Sequence, residues 1–507
     1  MTAKPQVERI APMNRSRKLT AAVTLCILFG SAVSALAQQA PLNLTLKEAI
    51  RLSFERNLDL KVELYNPAMA EADIRRSLGI YDPLLSLGAS YNRSNSFANT
   101  LTFTPRAVDE ASVSAGVSRL LPTGAVVGVT ADSGWVDNSA KYYTSGVNLS
   151  VSQPLLRDFG RESTELEINV SRYSKEGSIE RFRTRLSDTV AQVRNDYFRL
   201  YNLREVLAVR KTSLALANRI LEETRGRIRA GVLPAFEVLN AEFVASTRER
   251  EVIDAERAIR DQMDVLRLSL QLEPSVEIVI ADEPSRESYS VAEDEALALA
   301  LANRPELAAQ RTIVKIDDLQ QRVAKNRTLP DLALNASLGV GGFDRSFTRG
   351  LEKTASAEDP SWGVGVQVTY PLGNRVAEND YIRSRLALEQ ARTQLQSLEA
   401  GISKDVKAAI RLVGVSYKQL EVTNRGRAYA EDRLRAFEKR HAVGLATTKD
   451  VFDVENDLVT AKGNQIQAVV DYNNAITQLW RVTGEILDRQ GIRVSERQAD
   501  PLYERMK

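Results

Sequence analysis

One unit is written twice along this chain, and each copy ends in a helical stretch too long for a compact domain. Leu46-Lys47-Glu48-Ala49-Ile50-Arg51-Leu52-Ser53-Phe54 resembles Glu293-Asp294-Glu295-Ala296-Leu297-Ala298-Leu299-Ala300-Leu301. Further on, Pro83-Leu84-Leu85 matches Pro330-Asp331-Leu332, and Gln153-Pro154-Leu155 matches Tyr370-Pro371-Leu372. Gly231, Glu237-Val238 and Glu242 match Gly444, Asp450-Val451 and Glu455. Four matches in one order mark an internal duplication whose first copy carries about 34 extra residues, about 30 of them between Pro83 and Gln153.

The copies share a layout. Residues 42–273 hold a short helix, alternating segments over about 84–154 and a helical hairpin over 162–273. Residues 291–484 hold a short helix, segments over about 331–371 and a hairpin over 376–484. Residues 274–290 read as a linker and 485–507 as a tail. Leu85/Leu87/Ala89, Val113/Ala115/Val117, Val127/Val129/Ala131, Val147/Leu149/Val151, Leu332/Leu334/Ala336/Leu338 and Val364/Val366/Val368 alternate with small or polar residues. That period predicts strands with one polar face, as in a transmembrane barrel or a soluble sandwich. Trp135, Tyr142, Tyr143 and Trp362 fall near the strand ends, where an interfacial girdle would lie.

The remainder is long helix. Residues 162–229 contain no Pro and only Gly177 and Gly226. About 65 helical residues span roughly 100 Å. From about 376 to 437, Leu388, Leu395, Ile402 and Ala409 recur every seventh residue, with Ala391 and Leu398 between them and Asp405 interrupting, which is a coiled-coil seam. Each long helix meets a Gly-bearing turn, Arg229-Ala230-Gly231-Val232-Leu233-Pro234 or Ala442-Val443-Gly444-Leu445-Ala446. Gly suits the left-handed turn after a helix, and Pro suits a first turn.

Composition then removes whole classes of function. Lys plus Arg is 68 and Asp plus Glu is 66, so no net field recruits nucleic acid. One Cys (Cys26) and one His (His441) leave no disulfide framework, metal cluster or His-based triad within one chain, and no nucleotide-binding loop is present. No catalytic residue, metal or cofactor is expected. Arg9, Arg15, Arg17 and Lys18 precede the apolar run Leu19–Phe29, and Ala35-Leu36-Ala37 follows, so residues 1–37 read as a secretory signal. No other run is apolar enough for a transmembrane helix, so a membrane-spanning part has to be a closed barrel.

With the duplicated Leu-x-Glu-Ala opening, the junction Gln153-Pro154-Leu155-Leu156-Arg157-Asp158-Phe159-Gly160 and the two Gly-turn-helix segments, the chain resembles the TolC-like outer-membrane efflux proteins over roughly residues 42–485. The resemblance implies a mainly α protein with a transmembrane β-barrel part. Three copies share one barrel in the outer membrane of a Gram-negative bacterium and one periplasmic α-barrel tunnel. It further implies a passive conduit of a tripartite efflux or type I secretion system, gated at its periplasmic end. Its partners would be a periplasmic adaptor and an inner-membrane transporter. A non-conducting structural coiled-coil protein of the periplasm is the alternative.

The resemblance also points to residues. Asp450 and Asp453 match a pair of acids that constricts the tunnel. Acids three apart share a helix face, and a three-fold axis would make two of them a ring of six that attracts cations. A solvated first turn is the plainer reading of the same acids. Where family members carry a latching Tyr and Arg, this chain has His441 and Ala446, facing Phe236 and Glu237, so a His441–Glu237 pair is the one substitute and a surface His the other reading. Gly231, Val232 and Leu233, and Gly444 and Leu445, match the adaptor-docking tips. The family pattern gives two strands in each half of the duplication, four per protomer and twelve in a trimer. Here Ala111–Leu121 and Ala125–Ser133 flank Pro122-Thr123-Gly124, which predicts one more hairpin. Either it joins the wall, for eighteen strands, or it stands outside as a flap.

Overall fold

The computed structural model describes residues 42–97, 105–137, 140–495 and 497–507, so the secretory signal expected at 1–37 lies outside the described residues. In chain order the elements are β1 (Leu42–Leu44), α1 (Leu46–Arg56), α2 (Leu58–Leu78), β2 (Leu84–Phe97), β3 (Pro105–Leu120), β4 (Val126–Asp137), β5 (Lys141–Pro154), α3 (Leu166–Arg229) and α4 (Glu237–Leu270). Then follow β6 (Ile278–Ile280), α5 (Glu293–Asn303), α6 (Pro305–Asn326), β7 (Asp331–Asp344), α7 (Phe347–Ala355), β8 (Asp359–Thr369), α8 (Arg375–Ala442) and α9 (Thr448–Val482).

The duplication goes deeper than the matched residues. The short helix of each copy is two helices, broken at Asn57 in one and Arg304 in the other. Asn57 leaves helical geometry and its Oδ1 accepts from Leu60 N at 3.1 Å, which restarts the helix. In the second copy Pro305 restarts it at the first turn. The repeated Glu-Ala pair has a physical reason in its Ala: Ala49 and Ala296 are both fully buried where α1 and α5 meet the long helices. The stretch read as a linker carries β6, which pairs in parallel with β1 and ties the start of the first copy to its end.

Helices α3 and α8 run 64 and 68 residues, and α4 and α9 return over 34 and 35. Leu388, Ala391, Ile402 and Ala409 are buried as the seam predicts, while Asp405 turns outward to Lys404 and Arg304. The two hairpins pack side by side. Ala217, Ile220, Ala241, Ala245, Leu434, Val451, Val454 and Leu458 form one apolar cluster drawn from all four helices near the turns. Burial of each larger aliphatic side chain there contributes about 1.5–3 kcal/mol.

The six long strands make one sheet in the order β2-β3-β4-β5-β7-β8, every neighbour antiparallel. The inserted hairpin is therefore part of the same sheet and not a separate flap: β3 and β4 are hydrogen-bonded between β2 and β5. One cross-strand row reads Leu85, Val117, Val129, Leu149, Leu338 and Trp362. The next row, on the opposite face, reads Ser86, Gly116, Thr130, Asn148, Gly339 and Ser361. The apolar face is bare in a single chain, with Leu85 64%, Val117 49% and Trp362 79% exposed. Trp135, Tyr143 and Trp362 stand on that face, as a girdle requires. Tyr142 does not: the alternation turns it to the polar face, where it stacks on Phe343 with ring centroids 4.9 Å apart. Among the described residues no helix is long and apolar enough to cross a membrane.

The β3–β4 turn docks on the junction between β5 and α3. Gly160 N donates to Thr123 O at 3.0 Å, and Gln153 Nε2 donates to the same oxygen at 3.0 Å. Gly124 has φ +87°, and a Cβ there would lie 2.9 Å from the Asp158 carbonyl oxygen. Gly124→Ala is expected to cost about 1–2 kcal/mol from the left-handed backbone alone, read as a lowered denaturation midpoint of the purified assembly.

Candidate functional site

At the tip of each hairpin the Gly turn ends a long helix by the same bonds. Val232 N donates to Arg227 O at 2.9 Å and Gly231 N to Ile228 O at 2.9 Å; Leu445 N donates to Arg440 O at 2.8 Å and Gly444 N to His441 O at 3.0 Å. Gly231 and Gly444 have φ +72° and +78°, the left-handed turn that satisfies the last carbonyls of a helix. What the tips present outward is apolar: Val232, Val443 and Leu445 are each about 70% exposed, and Leu233 is half-buried beside them.

The acids expected at the constriction do different things. Asp450 sits third in α9 and closes a capping box. Its Oδ2 accepts from Thr447 N at 2.8 Å and Oγ1 at 2.7 Å, and its own N–H donates to Thr447 Oγ1 at 3.1 Å. Those bonds, chiefly the one from the Thr447 hydroxyl, hold its carboxyl below the usual range. A depressed acid stabilises the fold above its unfolded value and loses that contribution as pH falls through its folded value. The cap is therefore complete at neutral pH and fails only in acid. Asp453, one turn on, is exposed, and among the described residues it makes no ion pair. It is the free carboxylate of the two.

His441 is not a surface residue, and among the described residues of one chain it makes no ion pair with Glu237. It is buried, with Nε2 3.4 Å from Thr448 Oγ1, in a small recess with Leu216, Arg219, Glu223 and Arg227. Burial first, and the Arg227 charge second, depress its proton affinity against the pull of Glu223, so it is neutral at pH 7. Glu237 opens α4 and lies 3.5 Å from Asn240 Nδ2. A buried ion pair near the tips that joins the hairpins was not legible in the sequence. Arg248 Nη2 of α4 donates to Glu455 Oε2 of α9 at 2.8 Å, with both side chains at least nine-tenths buried. Arg248 also reaches Glu251 at 3.1 Å, and Glu251 accepts from Arg210 of α3 at 2.8 Å. Two cations and two anions thus tie three helices together, with Glu455 only two residues beyond Asp453 but on the buried face of α9. The repeat flagged Glu455 as the counterpart of Glu242, but Glu242 pairs within its own hairpin, with Arg225 at 2.8 Å. The position matching Arg248 in the second copy is Ala461, so the repeat pattern carries no trace of the pair.

Comparison with known proteins agrees with this architecture. A family model described as outer membrane efflux protein matches residues 49–270 and 296–485, one stretch in each copy. The chain is 24% identical over 369 residues to the outer membrane efflux protein BepC of Brucella suis biovar 1 (strain 1330), covering 72% of this chain and 78% of that one. It is 24% identical over 314 residues to the outer membrane protein TolC of Salmonella enteritidis, covering 59% and 61%. Among solved structures, the outer-membrane channel OprN superposes with TM-score 0.66 at 15% identity over 87% of this chain and 90% of its own. The Campylobacter jejuni CmeC outer membrane channel superposes with TM-score 0.64 at 15% identity over 91% and 89%.

Proposed function

This chain belongs to the outer membrane efflux protein family, and from that premise we propose that three copies close into one conduit, with an eighteen-stranded barrel in the membrane and a gate at the hairpin tips. The chain is an outer-membrane efflux channel with a large periplasmic part. The observation that carries the wider barrel is the sheet. Its edges, β2 and β8, have no further strand partner among the described residues. An open edge cannot persist in hydrocarbon, where every unpaired backbone group costs several kcal/mol. Pairing β2 of one copy with β8 of the next keeps the antiparallel order, and six strands from each of three copies make eighteen. The apolar face meets lipid, and the face of Ser, Gly, Thr and Asn lines a lumen with few bulky side chains. A non-conducting coiled-coil protein needs no such sheet.

The helices support the same closure. Leu239, Phe243, Ile253 and Leu268 of α4 are 60–74% exposed in the single chain. Neighbouring copies would cover them. At the tips, Gly231, Val232, Leu233, Gly444 and Leu445 would offer backbone and small apolar surface to a periplasmic adaptor, which couples the tunnel to an inner-membrane transporter. Asp453 would ring the narrowest point, with Asp450 beside it held by its cap, while Arg248–Glu455 keeps the two hairpins of each copy together in the closed state.

The two acids separate in a bilayer experiment. Asp453→Asn is expected to weaken block of single channels by multivalent cations added on the periplasmic side and to leave the start of α9 intact. Asp450→Asn is expected to fray that start, read as faster amide exchange at residues 448–452. Unchanged cation block in both variants would remove the acids from the constriction.

A further inference from the structure

The hairpin tips bury one titratable group that the acid ring and the Arg248–Glu455 pair leave unused. His441 lies in the last turn of α8, is 7% exposed, and is the one histidine of the chain. What buries it is largely the other hairpin. The recess of about 470 Å³ around it has an apolar floor of Leu216, Ile220 and Val451, so α3 of the first hairpin and α9 of the second both wall it. Among the described residues its ring has one hydrogen-bond partner, Thr448 Oγ1, 3.4 Å from Nε2.

The charges around the ring come from two of the packed helices. From α3 they are Arg219, Glu223 and Arg227, and from α8 itself Glu438. Arg219 engages Glu438 across the hairpins at 3.5 Å. From α9 the ring meets Thr448 and Val451; of the charged residues that follow Thr448, Lys449 acts on Asp450, which is closed in its cap. Among the described residues α4 contributes nothing to the recess wall. Glu223 thus draws a proton to the ring, while burial and Arg227 oppose it and prevail. An imidazolium is costly while the hairpins touch and not once they part. Opening the gate separates α3 from α8 and α9 at the tips, which returns the ring to water and to an ordinary value of about 6.5. Above that value the ring is neutral in both forms, and opening is indifferent to pH. Below it the parted form takes up a proton that the closed form refuses. Falling pH then favours opening, by at most about tenfold per copy per pH unit, until the closed form protonates as well.

We propose that His441 is a pH-sensitive switch that makes the gate open more readily in a mildly acid periplasm, one switch in each copy of the channel. The switch rests on the reading of the tips as the gate, and it needs neither Asp453 nor Arg248. In planar bilayers, the open fraction of the purified full-length channel is expected to rise about threefold or more from about pH 7.5 to about pH 5.5. His441→Gln keeps a polar group beside Thr448 but takes no proton, and its open fraction is expected to stay level over the same range. Because the chain has one His, histidine-labelled protein without a histidine tag gives a single imidazole resonance. The titration midpoint of that resonance in the closed channel is expected below the free value of about 6.5, and Arg227→Gln is expected to move it upward. No pH response in the unaltered channel, an equal response in His441→Gln, or a midpoint at or above the free value would overturn the proposal. A channel that never closes at any pH would instead count against the gate itself and remove this switch with it.

Discussion

Arg248→Ala is expected to destabilise the hairpin tips by about 3–5 kcal/mol, because it leaves Glu455 buried without its cation. Removing one member of a buried pair costs far more than the pair contributes, since the remaining charge has no water to return to. Arg248→Met combined with Glu455→Leu should therefore recover most of the loss, as apolar side chains of similar size fill the same space. Both variants also remove this buried tie between the hairpins, while Arg219–Glu438 at 3.5 Å remains nearby. In planar bilayers, long-lived open states should become more frequent in the single variant, and they should persist in the repaired double variant although its denaturation midpoint is near that of the unaltered protein. A double variant that stays as tightly closed as the unaltered protein would make Arg248–Glu455 a packing contact and nothing more.

Neighbouring residues on β4 give the second large effect. Val129 stands on the apolar face and Thr130 on the polar one. Val129→Arg puts a cation into hydrocarbon, at a cost of about 2–4 kcal/mol per copy at mid-membrane. Assembly in the outer membrane is expected to fall sharply, seen as loss of the folded, heat-modifiable species. Thr130→Arg puts the same side chain into water. It should assemble normally and shift ion selectivity toward anions. If β4 stood outside the wall, the two variants would behave alike, so the comparison also tests the strand number.

How much of this was legible in the sequence depends on the range of the interaction. The duplication, the strands, the coiled-coil seam and the Gly turns are local or periodic, and they appear in the residues themselves. The side-by-side packing of the hairpins follows from helices too long to bury themselves alone. The capping box at Thr447 and Asp450 was within reach as a Thr followed three residues later by an acid, but the resemblance drew both acids toward the gate. Arg248–Glu455 joins residues far apart in sequence and has no periodic signature. The docking of Thr123 and Gly124 on the Gln153–Gly160 junction is equally non-local. His441 was misplaced because a lone His carries no mark of burial. Tyr142 was misplaced because two adjacent aromatics cannot both face lipid on one strand, a consequence of alternation that grouping them overlooked. Helix α7 follows strand residues over a short, mixed stretch, where its strong apolar face was not separated from loop.

The central claim is that copies of this chain close around a common axis into one hollow pipe whose membrane wall includes the inserted hairpin. An electron cryo-microscopy reconstruction of the purified full-length protein in lipid tests it most directly. The account predicts a three-fold particle with eighteen strands around a single lumen continuous with the helical tunnel, and β2 of each copy paired with β8 of the next. A single-copy particle, or a trimer whose wall has twelve strands with β3 and β4 outside it, would contradict it.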